Sequence, residues 1–305
     1  MALALRIGIP RGLLYHYYGE VWADFFRRLG AEPVVSPETT RATVAAGGAV
    51  DEVCLPVKAF FGHAQTLAGR VDRLFLPRVV STAAGHYTCP KIIGLPDIMR
   101  AVFPGGPPLI APPVSLRDGS CGLWRAVAAT GAALGRPALA SLWAWRQAWR
   151  SRRPPQAAEV APGARPRVAV AGHPYILYDR QISMDAVGRL AAMGLAVVPV
   201  DRVAPQAAER AAATLSKDIF WHYCRRLAGA ALYLLAASPP LAGMVFLTSF
   251  ACGPDSLVGE LLRRRAERRG VPFLLLALDE HTAEAGVVTR LEAFADMLRR
   301  RQPWS

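Results

Sequence analysis

Lysine is almost absent from this chain. Lys58, Lys91 and Lys217 are the only three among 36 basic residues, set against 23 acidic ones, so arginine carries the net charge of +13. No C-x-x-C pair occurs, which excludes a short-range zinc knuckle or a ferredoxin-type ligand run. Gly8-Ile-Pro-Arg-Gly12 lacks the G-x-G-x-x-G spacing, and no Walker A motif is present, so ATP use by the chain itself is not expected. The first ten residues lack the charged and apolar regions of a signal peptide. The charge-free run over residues 227–253 is interrupted by Pro239-Pro240, and neither half is long enough to span a bilayer. Its first half reads as a buried helix and residues 243–250 as a buried strand. These absences give the expectation of a soluble, cytoplasmic protein whose five cysteines serve as thiols or metal ligands, with no membrane partner. Arginines cluster at 146–153, 263–269 and 299–301. No aromatic-interleaved basic motif, zinc finger or RNA-binding signature accompanies them, so nucleic acid is not the expected partner.

What the chain does have is a large apolar fraction. At 305 residues, 52% hydrophobic and 19% charged, it can build two domains with sizeable cores. Residues 5–9 read as a strand, 17–29 as a helix ended by Gly30, and 32–36 as a second strand. A helix near 58–67, a strand at 73–77, a helix at 92–100, a strand at 109–113 and a Trp- and Ala-rich helix over 123–150 follow. Residues 150–167, rich in Arg, Pro and Gly, are the clearest linker. The pattern then restarts, with strands at 168–171, 196–200, 244–250 and 273–278. The helices between and after them fall near 184–193, 207–214, 219–235, 257–269 and 289–301. Alternating strands and helices imply parallel sheets covered on both faces. The domain reading is 1–150, a linker at 151–167, and 168–305.

Three cysteines share a context. Cys54 precedes Leu55-Pro56-Val57-Lys58, Cys89 precedes Pro90-Lys91, and Cys252 precedes Gly253-Pro254-Asp255-Ser256. Each reads as the end of a buried strand followed by a stiff proline turn, an arrangement that can gather thiolates into a metal site, an iron–sulfur cluster foremost. Their dispersed spacing equally fits three separately buried small apolar side chains. Lys58 and Lys91 stand directly behind two of them, where an ammonium would favour a thiolate and offset cluster charge. Cys121, in a Gly-rich loop, is a fourth-ligand candidate, whereas Cys224 reads as structural and mid-helix. Asp255 or Ser256 is the expected cap of the helix after Cys252. Asp279-Glu280-His281 follows a hydrophobic strand, where open α/β sheets bind ligands. His281 could donate a hydrogen bond or move a proton, with Glu280 orienting it. A loop-pinning network with Thr282, Thr289 and Arg290 is the alternative. His173 could act as His281 does or cap the next turn, and His63 is a further, weaker candidate.

Six stretches carry a resemblance that runs over nearly the whole chain. They are Ile7–Tyr15, Cys54–His63, Tyr87–Lys91, Gly172–Asp179, Ser249–Ser256 and the long Leu278–Phe294. The chain resembles proteins related to the 2-hydroxyacyl-CoA dehydratases and their ATP-dependent activases. That resemblance implies two Rossmann-like α/β domains with an additional helical segment. It implies an oxygen-sensitive [4Fe–4S] cluster, with Cys54, Cys89 and Cys252 at the ligand positions. In some relatives two clusters join into a double-cubane [8Fe–9S] group, which here would be shared in a homodimer. In the wider superfamily an activase hydrolyses ATP and passes one electron to the partner's cluster. Dehydratase relatives then expel a hydroxyl group from an acyl-CoA.

The resulting expectation is low-potential electron transfer or reduction with an ATP-dependent activase as partner, either as a dehydratase-like lyase acting on an acyl-CoA or as a double-cubane-type reductase of another small molecule. The rivals are a non-enzymatic, cluster-bearing regulatory or assembly partner of an activase, and a structural zinc protein. No separate acyl-CoA recognition motif is present.

Overall fold

A computed structural model describes residues 4–50, 52–152 and 165–301. The chain divides into two compact units, residues 1–154 and 155–305. Most of the linker read at 151–167 lies outside the described residues.

The first unit runs β1 (Arg6–Ile9), α1 (Tyr15–Arg28), β2 (Glu32–Val35), α2 (Arg41–Ala46), α3 (Leu55–Thr66), β3 (Arg73–Phe75) and β4 (Arg78–Ser81). It continues with α4 (Pro90–Ile93), α5 (Leu95–Val102), β5 (Leu109–Ile110), β6 (Pro113–Ser115), α6 (Cys121–Ala132) and α7 (Ala138–Arg150). Its parallel sheet has the order β2-β1-β3-β5, with Ile7 and Ile9 of β1 fully buried. Strand order reverses between β1 and β3. Pro77 and Pro112 lack the N–H a ladder needs. The pairing of β3 with β5 therefore lapses and resumes as a separate β4-β6 pair. Leu76 N–H to Ile110 O and Arg78 N–H to Pro112 O, each 3.0 Å, bridge the gap. Gly30, at φ +75°, ends α1, and Ala31 N–H returns to Phe26 O as in a Schellman motif.

The second unit runs β7 (Arg167–Ala171), α8 (Pro174–Leu177), α9 (Arg180–Ser183), α10 (Ala186–Ala192), β8 (Ala196–Pro199) and α11 (Pro205–Ala212). It ends with α12 (His222–Ala236), β9 (Gly243–Ser249), α13 (Gly253–Glu267), β10 (Phe273–Leu278) and α14 (Glu284–Arg301). The parallel order is β10-β9-β7-β8, and every residue of β9 is buried, as suits a strand covered on both faces. Here too the order reverses at the central pair, β7 and β9. Both units are thus Rossmann-like α/β folds. Among the described residues, no helix is long and apolar enough to cross a membrane.

Several expected elements are corrected. The helix read over 123–150 is two, α6 and α7, separated by Gly135 at φ +67° and Pro137. The helix at 92–100 is also two, α4 and α5, and the one at 184–193 breaks at Met184 and Asp185, both left-handed. Among the described residues, no strand lies between β2 and Cys54. Residues 41–46 are the helix α2, started by a capping box in which the Thr40 hydroxyl accepts Thr43 N–H at 3.1 Å.

The helix that carries Cys54 is held by backbone contact. A Cβ on Gly62 would lie 1.7 Å from Thr43 O, and one on Gly47 would lie 2.0 Å from Lys58 O. Neither neighbour is a flexible side chain, so α3 and the turn after α2 must separate to admit any side chain. Gly62→Ala is expected to lower the stability of the first unit by more than about 2 kcal/mol, as overpacking against rigid backbone does. Urea denaturation followed by tryptophan fluorescence measures this, and an unchanged midpoint would contradict the packing described.

Candidate functional site

The three cysteines occupy the same local position, though not the one expected. Each is the N-cap of a helix: Cys54 of α3, Cys89 of α4 and Cys252 of α13. All three have extended backbone, all have proline at the first or second helical position, and none caps its helix through its side chain. Proline suits these positions because its fixed φ is already helical and its missing N–H is not needed there. All three are half-buried. Only Cys252 comes soon after a strand, with β9 ending at Ser249. Left-handed non-glycine residues lie just upstream of two of them, Glu52 (φ +55°) before Cys54 and Ala251 (φ +62°) before Cys252. In the first unit the ammonium of Lys91 donates to Glu52 O at 3.2 Å, tying the start of α4 to the segment that enters α3. Lys58 lies one turn beyond Cys54 on α3, half-buried. Cys121 is not in a loop. It is the first residue of α6, and exposed.

In the second unit the carboxyl ends of β7 and β9 hold a buried polar cluster. His173 is the N-cap of α8, Cys224 lies in the first turn of α12 and Asp255 in the first turn of α13. Their exposures are 2%, 5% and 0%. Asp255 Oδ1 accepts from His173 Nε2 at 2.9 Å and from the Cys224 thiol at 3.5 Å. Asp255 Oδ2 accepts the Thr248 hydroxyl at 3.4 Å, and the Cys252 thiol also bonds this carboxylate. Burial alone would raise the carboxyl. The facing His173 and the donated hydrogen bonds outweigh it and hold Asp255 below the ordinary carboxylate range. Asp255 is therefore not the helix cap expected of it, and Ser256 is not either: its hydroxyl donates to Cys252 O at 2.9 Å.

A cysteine, a histidine and an aspartate together suggest an activated nucleophile, but the geometry is different. A relay needs the thiol on one imidazole nitrogen and the carboxylate on the other. Here Nε2 faces both, 2.9 Å from Asp255 Oδ1 and 3.9 Å from Cys224 Sγ. The cluster pins three helix starts to one carboxylate beside Cys252. Its ligand atoms all lie within 4.8 Å of one another, close enough for one metal ion.

The strand-end triplet is arranged differently. Asp279 accepts His281 N–H at 2.9 Å and the Thr282 hydroxyl at 2.8 Å. Chiefly through that hydroxyl, its carboxyl is held below the usual range. Glu280 and His281 approach at 3.7 Å, and the His281 side chain is 86% exposed. Thr289 and Arg290 bond backbone carbonyls of Ala285 and Leu275 and take no part in this turn. In the stretch Gly172–Asp179, Asp179 caps α9 by accepting Gln181 and Ile182 N–H, each at 3.1 Å. The Tyr178 hydroxyl donates to Asp201, 2.8 Å from both carboxylate oxygens.

His63 is buried in the first unit between Ser36 Oγ, 3.0 Å from Nδ1, and Thr39 Oγ1, 2.9 Å from Nε2. Burial lowers its pKa to about 4, with nearby His16 and Arg11 adding to the shift. His16 is lowered to about 4 as well, by burial and then Arg11.

Two Rossmann-like units whose helix tips present cysteines thus define the class of protein. The chain belongs to the CoA enzyme activase uncharacterised domain family (DUF2229), whose profile matches residues 6–203. Cys54, Cys89 and His173 fall within the match, and Cys224, Cys252 and Asp255 beyond it. No curated protein matches the chain.

Two outcomes are expected. Asp255→Asn leaves buried donors mismatched and lowers the stability of the second unit by about 3 kcal/mol, read by chemical denaturation. For His63 the folded pKa lies below the unfolded one, so its contribution is intact above pH 6.5 and is lost as pH falls toward about 4. The His63 share of the first unit's stability should therefore decline across that window by up to about 3 kcal/mol, with His16 adding to the fall. In His63→Gln the decline should be shallower when unfolding is measured from pH 7 to 4.5.

Proposed function

We propose that this protein is an iron–sulfur partner of an ATP-dependent activase. Cys54, Cys89 and Cys252 would hold a [4Fe–4S]-type cluster, alone or as part of a double cubane shared between two copies of the chain. The observation that carries the reading is the repeated helix-tip geometry: three half-buried cysteines, each an N-cap with extended backbone and proline in the first turn. The positive end of a helix favours a thiolate over a thiol, and thiolates are what such a cluster binds. Membership of an activase-related family supports the same reading. When bound, the cluster would supply one-electron reduction at low potential, with the protein contributing orientation and a dry surrounding. Within the chain, Asp255 would hold the start of α13 through His173, Cys224 and Thr248 once the Cys252 sulfur is a thiolate, and Lys91 would hold the segment leading to Cys54. A dehydration of an acyl-CoA and the reduction of another small molecule are both reactions of this kind.

A second reading is favoured by one observation. His173, Cys224 and Asp255 offer nitrogen, sulfur and oxygen ligands within 4.8 Å, a set that suits zinc in a structural role.

Anaerobic purification followed by iron, acid-labile sulfide and zinc analysis separates the two. Matched iron and sulfide, lost on Cys54→Ala, Cys89→Ala or Cys252→Ala but kept on Cys224→Ala, is the expected result. Their ratio per chain distinguishes a single cubane from a shared double one. Full iron in any of the first three variants would overturn the ligand assignment. Zinc lost on Cys224→Ala, with no iron after anaerobic reconstitution, would establish the second reading.

A further inference from the structure

The first unit contains an apolar cavity of about 560 Å³, within the range of small-molecule sites. It lies where α1, α6 and α7 face the strand region of β3, β4 and β6, and it uses none of the cysteines. Its wall is aromatic and internally braced. Trp22 meets Phe75 edge-on at 5.3 Å, Phe25 meets Trp145 edge-on at 5.5 Å, and Trp149 stacks on Trp145 at 6.0 Å and on Tyr18 at 6.4 Å. Such a wall favours a flat or branched apolar body.

The polar groups in this lining are few and share a preference. Thr82, just past the end of β4, has a buried hydroxyl oxygen with no hydrogen-bond partner. That oxygen is sealed from the cavity space, so it offers a ligand no contact in this arrangement. Thr130 also lines the cavity, but its hydroxyl is already spent on Ala126 O at 2.8 Å. Arg146 and Arg150, one turn apart on α7, stand at the mouth, and neither has an acidic partner among the described residues. Elsewhere some closely spaced arginines are neutralised in place. On α13, for example, Arg263 pairs with Glu260 and Glu267, and Arg264 pairs with Glu260. Two adjacent uncompensated guanidiniums beside an apolar cavity are complementary to an anion with an apolar body. The planar guanidinium fork matches a carboxylate two bonds at a time.

We propose that this cavity binds a small amphipathic carboxylate, with its apolar part against Trp22, Trp145 and Trp149 and its carboxylate on Arg146 and Arg150. The site stands apart from the cluster reading, because none of its residues is a proposed ligand.

The test is calorimetric titration of the full chain with 4-phenylbutyrate and decanoate. Their neutral counterparts, 4-phenylbutanol and decanol, are titrated in parallel. Each carboxylate should bind roughly tenfold or more tightly than its alcohol, the margin expected of charge-assisted hydrogen bonds. The double variant Arg146→Gln, Arg150→Gln alters only exposed side chains. It should remove that margin while leaving alcohol binding unchanged. Leu123→Trp, which fills the cavity, should abolish binding of all four. Equal binding of acid and alcohol, an unaltered margin in the double arginine variant, or no binding of either carboxylate would overturn the proposal. Repeating the titration on Cys54→Ala should give the same affinity whether or not the chain carries iron.

Discussion

A carboxylate with no exposure to water has to be surrounded by donors, and in the second unit that requirement organises everything near the sheet's central crevice. Asp255 gathers His173, Cys224, Thr248 and Cys252 from the ends of two strands and the starts of three helices. Losing any one donor leaves the charge less compensated, so these elements are fixed relative to one another more tightly than apolar packing alone would fix them. The crevice is where a doubly wound sheet normally leaves room for a ligand. Here its floor is filled by the protein's own polar groups, and Cys252 stands at the edge of that filling.

The first unit reaches comparable rigidity by another route. The helix tipped by Cys54, α3, is held by backbone against backbone at Gly47 and Gly62, with no room for a side chain. The histidine buried nearby is kept neutral between two hydroxyls and makes no ion pair there. Two units of the same topology thus position a helix-tip cysteine by different physics, one by steric exclusion and one by charge compensation.

Much of this fold was legible from periodicity: the alternation of strands and helices, the glycine after α1, and the near-continuous apolar run of β9. The cysteine–proline contexts were legible too, because proline in a first turn is a strong local signal. What escaped were features set by tertiary contacts. The residues before Cys54 are apolar enough to read as a strand, yet Thr40 and Thr43 form a capping box there and start a helix. Asp255 in a first turn looks like an ordinary partner for a helix terminus, and nothing local marks it as turned inward. Cys224 seemed mid-helix only because the start of α12 was read three residues early. The aromatic cavity was hidden because the long helix expected over 123–150 folds back at Gly135 and Pro137, which is what creates its wall.

Proline at the three cysteine tips also subtracts something. A helix start normally presents a set of open N–H groups, and Pro90 removes the first of these in α4 while Pro56 and Pro254 remove the second in α3 and α13. A sulfur at such a tip meets fewer backbone donors than one at an ordinary helix start. The sequence Cys-(x)-Pro therefore keeps the tip of each helix in place while thinning the backbone donors a sulfur there could accept from.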